Sequence, residues 1–499
     1  MININDIIAN DYVFSKDGLK WIELNKVIGN LKNKYSNIFD DFKSFDGYAF
    51  PSNSYVTRFP DLKKKIKLIQ ISNVNSEEWI INDTQKFEYL PDTFLKKKKY
   101  LLDYPCILIS LTGGNNINND ITSFFSGDYQ AMLNQRISAL TMKEYNVDYF
   151  FYFYALTKSI FFKEQWLGKG GVQKNTISTG REKMYLPKIS NLNIVKFVSV
   201  LIQSIINKEK LIKQRHQTIL ENIEKELLDN QLPNQFEYSL PTISEIEEVG
   251  RLDTGLYSKG FKKKIFKIKN YKFGFSDIYQ LGFSLRRGQN LQESNIGKSI
   301  YSQKYYKGFY SLVLPTNFSH YGTFNKIEYL GNSNVLKVLQ QGEVVFGAEG
   351  TFRSVVICEE KEKYITNIHG ITLYNENLIK SIFVKCFMDY LTKKGVIDNV
   401  KVGGNGGSFA QRYWINIYFP NFPEQKQKEI AKLYHNSEIN YPCEEFTLDN
   451  FLEKDAIYNE QAGIYELDKT AKQLKDILNK AIENIINDKQ VEISFKPQG

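Results

Sequence analysis

The chain has 499 residues, 42% hydrophobic and 24% charged, which is the composition of a soluble globular protein built from about two to four folded units. Lys plus Arg exceed Asp plus Glu by 65 to 56, a net charge of +9, which permits nucleic-acid binding without demanding it. Four scattered cysteines, Cys106, Cys358, Cys386 and Cys443, contain no C-x-x-C pair, which argues against a zinc ribbon or a disulfide framework. A reducing, cytoplasmic setting follows as the expectation: no signal segment opens the chain, and the apolar run Phe150 to Phe162 carries Lys158 and is too short to span a bilayer.

In chain order, the first segment, 1–189, reads as mixed strands and turns that reach an apolar strand running into a glycine turn, Cys106 to Gly114. An Asn-bearing strand follows, Asn134 to Leu140. Next come an amphipathic, aromatic-rich helix near 147–162, a glycine-rich polar loop from Gly168 to Asn175, and Pro187. A helical pattern then occupies about 191–229, with Ile194, Val198, Leu201, Ile205, Ile212, Ile219, Ile223 and Leu227 on one stripe and prolines on both sides. At about 40 residues it would be roughly 60 Å long, more than a small domain needs for its own core. His216 falls on its stripe and reads as a register-fixing polar residue.

The second segment, 233–423, repeats the order: an apolar strand and turn, Glu343 to Gly350; an Asn-bearing strand, Asn367 to Leu373; an amphipathic helix near 376–393; a glycine-rich loop, Gly403 to Arg412; and Pro420 with Pro423. A short helix is expected over 424–434. Over 460–489, Ile464, Leu467, Ala471, Leu474, Leu478, Ala481 and Ile485 alternate steps of three and four, the seam of a coiled coil. The chain is a domain-scale duplication: 1–189 and 233–423 are α/β (α+β) domains, 190–232 a central spacer helix, and 424–499 a helical spacer region with an irregular insert near 435–455.

Five polar clusters could read DNA. Thr112, Asn115 and Asn116 follow the first apolar strand; Lys169, Gln173, Lys174 and Asn175 lie in the first glycine-rich loop. Arg286, Arg287, Gln289 and Asn290 form a third, Arg353 with Ser354 a fourth, and Ser408, Gln411 and Arg412 a fifth. Arg, Lys, Asn and Gln suit base edges because their donors and acceptors pair bidentately with guanine or adenine, and glycine lets backbone approach closely. Each cluster taken singly also fits a solvated surface loop, as do the lysine runs at 63–65, 96–99 and 262–264. Catalytic signatures are missing. There is no Asn-Pro-Pro-Tyr motif, no G-x-G-x-x-G and no H-E-x-x-H; Gly297-Lys298-Ser299 lacks the first P-loop glycine, since Gln292 stands there. His216, His320, His369 and His435 show no metal-ligand spacing, and Glu359-Glu360-Lys361 reads as a strand-end turn. No catalytic or metal residue is assigned.

Leu108 to Gly113 with Ala131 to Arg136 resembles the strand, turn and Leu-Asn-Gln strand of the specificity subunits of type I restriction-modification systems. Phe419 to Lys426 is similar to that family's P-x-x-x-E-Q lead-in to a helix; Arg286 to Asn290 and Gly347 to Gly350 also resemble one of its recognition-domain types. The first lead-in, Leu186 to Asn191, departs by lacking Glu-Gln, and the stretch 435–454, with Pro442, interrupts the last helical region. The resemblance implies two target-recognition domains held apart by long antiparallel coiled-coil helices with pseudo-twofold symmetry. It implies a non-catalytic subunit that binds a bipartite double-stranded DNA target, with two methyltransferase subunits docked on the helices and a restriction (nuclease/motor) subunit completing the complex. S-adenosylmethionine, ATP and Mg would sit on those partners, none on this chain. The alternatives are a subunit of a methylation-only or other anti-phage complex, a self-contained nuclease or methyltransferase, and a nonspecific coiled-coil DNA adaptor.

Overall fold

The computed structural model describes residues 34–51, 55, 65–74, 78–81, 87–112, 120–168, 184–252, 254–347, 352–359, 363–402 and 411–496. The chain divides into two compact units, one of 1–210, 441–460 and 469–499, the other of 211–440 and 461–468.

In the first unit the strands of the two larger sheets are β1 (Phe42–Asp46), β2 (Lys65–Ile69), β3 (Ile80–Ile81), β4 (Glu88–Pro91), β5 (Leu101–Leu102), β6 (Cys106–Ser110), β7 (Thr122–Phe125), β8 (Ala131–Leu133) and β9 (Ile137–Met142). They form a central sheet ordered β1-β9-β6-β7-β3 and a second sheet ordered β4-β2-β8-β5. The β2–β8 and β3–β7 pairs are parallel and the others antiparallel. β6 is buried throughout, and apolar up to Ser110, because both its faces are covered. Ile107 and Ile109 meet the aromatic helix α1 (Val147–Leu156), while Cys106 and Leu108 join the cluster shared with the second sheet. The Asn146 side chain accepts the N–H groups of Asp148 and Tyr149, and so starts α1.

The helix expected over 147–162 is two helices, α1 and α2 (Ile160–Gly168). The reason is local. The Ser159 hydroxyl accepts the Phe162 N–H at 3.1 Å, starting a new helix, and Lys158 turns inward to Asp120.

The long helix α3 runs Leu192–Asp229, within a residue of its expected bounds. In the first unit its opening half packs, through Val198, Leu201 and Ile205, on residues of the last helix such as Leu474 and Leu478.

In the second unit, α4 (Lys259–Lys269) carries the lysine run 262–264. The strands of its two larger sheets are β10 (Ser284–Arg287), β11 (Ser299–Ser302), β12 (Tyr310–Leu312), β13 (Glu328–Asn332), β14 (Val344–Gly347), β15 (Ser354–Val356), β16 (Tyr364–Ile365) and β17 (Gly370–Tyr374). Their sheets are ordered β10-β17-β14-β15 and β11-β13-β12-β16. The helix α5 (Leu378–Lys393) follows. The duplication expected from the sequence is present in seven strands of each unit. β10, β17, β14 and β15 repeat the order of β1, β9, β6 and β7, and the parallel β12–β16 pair repeats β2–β8. The second half of α3 packs here. His216 Nε2 lies 3.2 Å from the Asp389 carboxylate of α5 and edge-on to Tyr321, so it fixes the helix against the α/β body of this unit.

The helices α6 (Glu424–Tyr434), α7 (Phe451–Gln461) and α8 (Ile464–Ile486) complete the chain. The seam expected over 460–489 belongs to α8, and Leu467, Leu474 and Leu478 are fully buried. The helical pattern breaks before it at Gly463, whose N–H donates to Glu466 and whose missing Cβ would stand 2.6 Å from the Tyr434 carbonyl. In the first unit, α3 and the chain through α8 to its end run antiparallel: Glu209 meets Lys475 of α8 at 2.7 Å, and Phe197 meets Phe495, beyond α8, at 5.2 Å. α7 lies parallel to α3, with Ser204 bonded to Asp455 and Lys208 to Asn459. The 435–455 insert thus ends in a helix of that unit's core, where Tyr441 and Tyr458 flank the fully buried Lys208 ammonium and Asp455 pairs with it at 2.7 Å.

Candidate nucleic-acid interface

In each unit, one end of the central sheet gathers the polar residues. In the first unit this end is formed by the close of β1, the start of β9, the close of β6 and the start of β7. A backbone clasp builds it. Gly47 N–H donates to the Ile137 carbonyl and Tyr48 N–H to the Leu133 carbonyl, both at 2.9 Å. Asn134 turns the chain: its side-chain oxygen accepts the Arg136 N–H at 3.1 Å and its carbonyl the Ile137 N–H at 3.0 Å. Only glycine fits beside this turn, because a Cβ on Gly47 would stand 2.1 Å from the Asn134 carbonyl oxygen.

The second unit repeats the clasp bond for bond. Gly288 N–H donates to the Gly370 carbonyl at 2.9 Å and Gln289 N–H to the Thr366 carbonyl at 3.0 Å. The Asn367 side chain accepts the His369 N–H at 3.1 Å, and a Cβ on Gly288 would lie 2.0 Å from the Asn367 carbonyl oxygen.

The expected site residues distribute around these ends. Thr112 sits one residue past Leu111, whose N–H donates to the Arg136 carbonyl at 2.8 Å. Arg287 is exposed, and the Gln289 and Asn290 that follow the clasp glycine leave the same end. The Gln289 side chain already accepts the Lys337 N–H at 2.8 Å, and that of Asn290 the Gln292 N–H at 3.1 Å. Arg286 is half-buried over the Tyr374 ring. Arg353 opens β15 at this end, but its guanidinium is engaged with the Phe318 carbonyl at 2.6 Å and with His320 at 3.0 Å, and the following Ser354 is buried. Asn115, Asn116, Lys169, Gln173, Lys174, Asn175 and Ser408 lie outside the described residues. Gln411 and Arg412 begin the 3₁₀ turn Gln411–Asn416, their side chains likewise undescribed. The flanks of both glycine-rich loops are nonetheless anchored at these ends. Trp166, before the first, donates its indole N–H to the Ser110 carbonyl at 3.1 Å; Trp414, after the second, stacks edge-on with Phe346 at 5.1 Å.

Charge is arranged around the first unit's end. Asp120, just before β7, holds Lys163 at 2.7 Å and Lys158 at 3.4 Å. Burial alone would raise its carboxyl, but the two ammonium groups hold it below the usual carboxylate range. Burial brings Lys158 down to about 8 against the pull of Asp120. Lys97, in the 96–99 run, sits over the Tyr48 ring at 3.8 Å, so that run lies beside the clasp.

Sequence reasoning passed over Gly47-Tyr48, the turn residues Gln135-Arg136 and Ile368-His369, and the edge strand β11. Ile300, Tyr301, Tyr305 and Tyr306 there are each more than half exposed, among the exposed Lys298, Lys304 and Lys307. The available signal was the clasp glycine inside Asp46-Gly47-Tyr48 and Arg287-Gly288-Gln289. Among the described residues no group of three or more His, Cys, Asp or Glu could hold a metal ion, and no helix is long and apolar enough to cross a membrane.

No protein-family model matches the chain, and no curated protein matches it. Solved structures do. The type I restriction-modification S subunit from M. genitalium is 12% identical, with 90% of this chain and 95% of that one covered and a TM-score of 0.43. The HsdS subunit from Thermoanaerobacter tengcongensis is 9% identical over 91% and 96% of the two chains, with a TM-score of 0.26. A chain from a study of type I R-M assembly and conformational transition is 9% identical over 89% and 97%, with a TM-score of 0.28. Each of these three likenesses covers about nine tenths of this chain.

Proposed function

We propose that this chain is a specificity subunit: it binds double-stranded DNA by sequence and catalyses nothing itself. Each α/β domain, 1–189 and 233–423, reads one part of a bipartite target, and the helical regions 190–232 and 424–499 space them. Two methyltransferase subunits, and an ATP-dependent restriction subunit in the complete complex, dock on those helices and bring S-adenosylmethionine, ATP and Mg. The observation that carries this reading is the repeated sheet end. Two domains with the same strand order bring polar side chains to the same sheet end, Gln135 and Arg136 with Lys97 in the first and Arg287, Gln289 and Asn290 in the second. Duplex recognition needs cations to hold phosphates and amide or guanidinium groups to meet base edges, and both are supplied there.

The test is methylation mapping. Co-expressed with its methyltransferase, the chain directs methylation to one split motif, and exchange of 1–189 for the matching domain of a differently specific subunit changes one half of that motif only. Change in both halves, or in neither, defeats the two-reader model. Equal binding to random duplexes with a steep salt dependence would favour a nonspecific adaptor. Activity of the purified chain with cofactors alone would favour a self-contained enzyme.

A further inference from the structure

We infer that the two outward residues of each clasped turn, Gln135-Arg136 in the first unit and Ile368-His369 in the second, contact bases in the target and help set its two halves. This rests on the reading of the chain as a sequence-specific DNA binder and assigns residues within it. All four residues are exposed, and each pair occupies the same two positions after the turn's asparagine.

The asparagines themselves are not free to offer the bidentate amide pairing that reads adenine. Their side-chain oxygens are already used on the N–H two residues on, which locks the turn from inside. The clasp fixes the turn from the other side, through two backbone bonds and a glycine that admits no Cβ. A base contact needs this kind of support, since a side chain must be delivered to a groove position within a fraction of an ångström. The geometry is the same in both units while the chemistry of the tips differs. Glutamine and arginine offer bidentate pairing to adenine and guanine; isoleucine offers apolar contact to a thymine methyl, and histidine a ring nitrogen. One scaffold with two unlike tips is what reading two unlike half-sites requires.

The experiment uses the full chain with its methyltransferase. The variants are Gln135→Ala with Arg136→Ala, and Ile368→Ala with His369→Ala. Methylated motifs are mapped by sequencing, and binding is measured to the mapped duplex and to a random duplex. Both variants replace exposed side chains, and an unchanged melting temperature checks the fold. The first variant is expected to lose about ten- to hundredfold in affinity for the mapped duplex, the size of one or two base contacts, and to relax one half of the motif. The second variant relaxes the other half. Random-duplex binding should change less than about threefold, since phosphate contacts are retained. An unchanged motif with unchanged affinity overturns the inference. So does an equal loss on both duplexes, which would make these residues phosphate contacts. If the unsubstituted chain itself shows no duplex preference, the specificity reading fails and this inference with it. That failure is told apart because it needs no variant.

Discussion

Gly47 and Gly288 are the residues on which the two sheet ends depend, because each stands where a methyl group would occupy a backbone oxygen. Replacing either with alanine forces the strand away from the turn, and overpacking of this kind costs about 1–3 kcal/mol. Urea unfolding of each variant should show the loss, and wild-type stability in both would mean the strands part freely. Asp120 makes a second residue-scale prediction. Its carboxyl is held below the usual range by Lys158 and Lys163, so its contribution is present at neutral pH and is lost as pH falls through the folded-state value. Lys158 works the other way. Its folded-state value, about 8, lies below that of an unfolded lysine, so the cost of burying its charge is full below pH 8 and recedes as pH rises through that value. Asp120→Ala leaves Lys158 without its carboxylate and should cost about 3–5 kcal/mol at pH 7. Part of that loss should return by pH 9, and a loss independent of pH would show that Lys158 is not the group left uncompensated. None of these roles could be read from the sequence. Gly47 is held beside the Asn134 turn by backbone bonds between distant residues, which leave no periodicity, and nothing in a string of letters pairs Asp120 with a lysine three strands and a helix later.

The elements were more legible than their junctions. The strand Cys106–Ser110, the strand Val344–Gly347 and the helix Leu192–Asp229 stand where hydrophobic runs and bracketing prolines put them. The breaks in the helical patterns at Ser159 and Gly463 did not show, because each depends on a capping hydroxyl or carboxylate whose use is decided by tertiary contacts. Coiled-coil spacing located the α8 seam correctly, yet gave no hint that α7 joins α3 through the buried Lys208–Asp455 pair. Truncating Leu478→Ala in that seam should cost about 2–5 kcal/mol in thermal or urea unfolding. The edge strand β11 carries a different prediction. If its lysines meet phosphates, changing Lys298, Lys304 and Lys307 to Gln should lower the slope of log affinity against log salt by up to about 2–3, near 0.9 for each contact, and leave the methylated motif as it was. An unchanged slope would remove β11 from the interface.

At the scale of the whole molecule, the duplication is one of topology more than of sequence. Seven strands recur in the same order in both units, and each unit adds strands that the other lacks. That order was recoverable because glycine turns and asparagine strands recur along the chain, while the second sheet of each unit, made of short strands with no common spacing, was not. The division of the chain has a consequence for how it is made. The first unit takes residues 1–210 and then 441–460 and 469–499, with 211–440 of the second unit translated between them. The stripe of Val198, Leu201 and Ile205 is covered by Leu474 and Leu478, which leave the ribosome on the order of tens of seconds later at ordinary synthesis rates. Through that interval the nascent chain carries an oily helix with the part of its stripe that meets Leu474 and Leu478 uncovered, a natural client for a chaperone. A chain ending at residue 440 would remain in that state, aggregating when expressed alone and recovering solubility when 441–499 is supplied as a separate peptide.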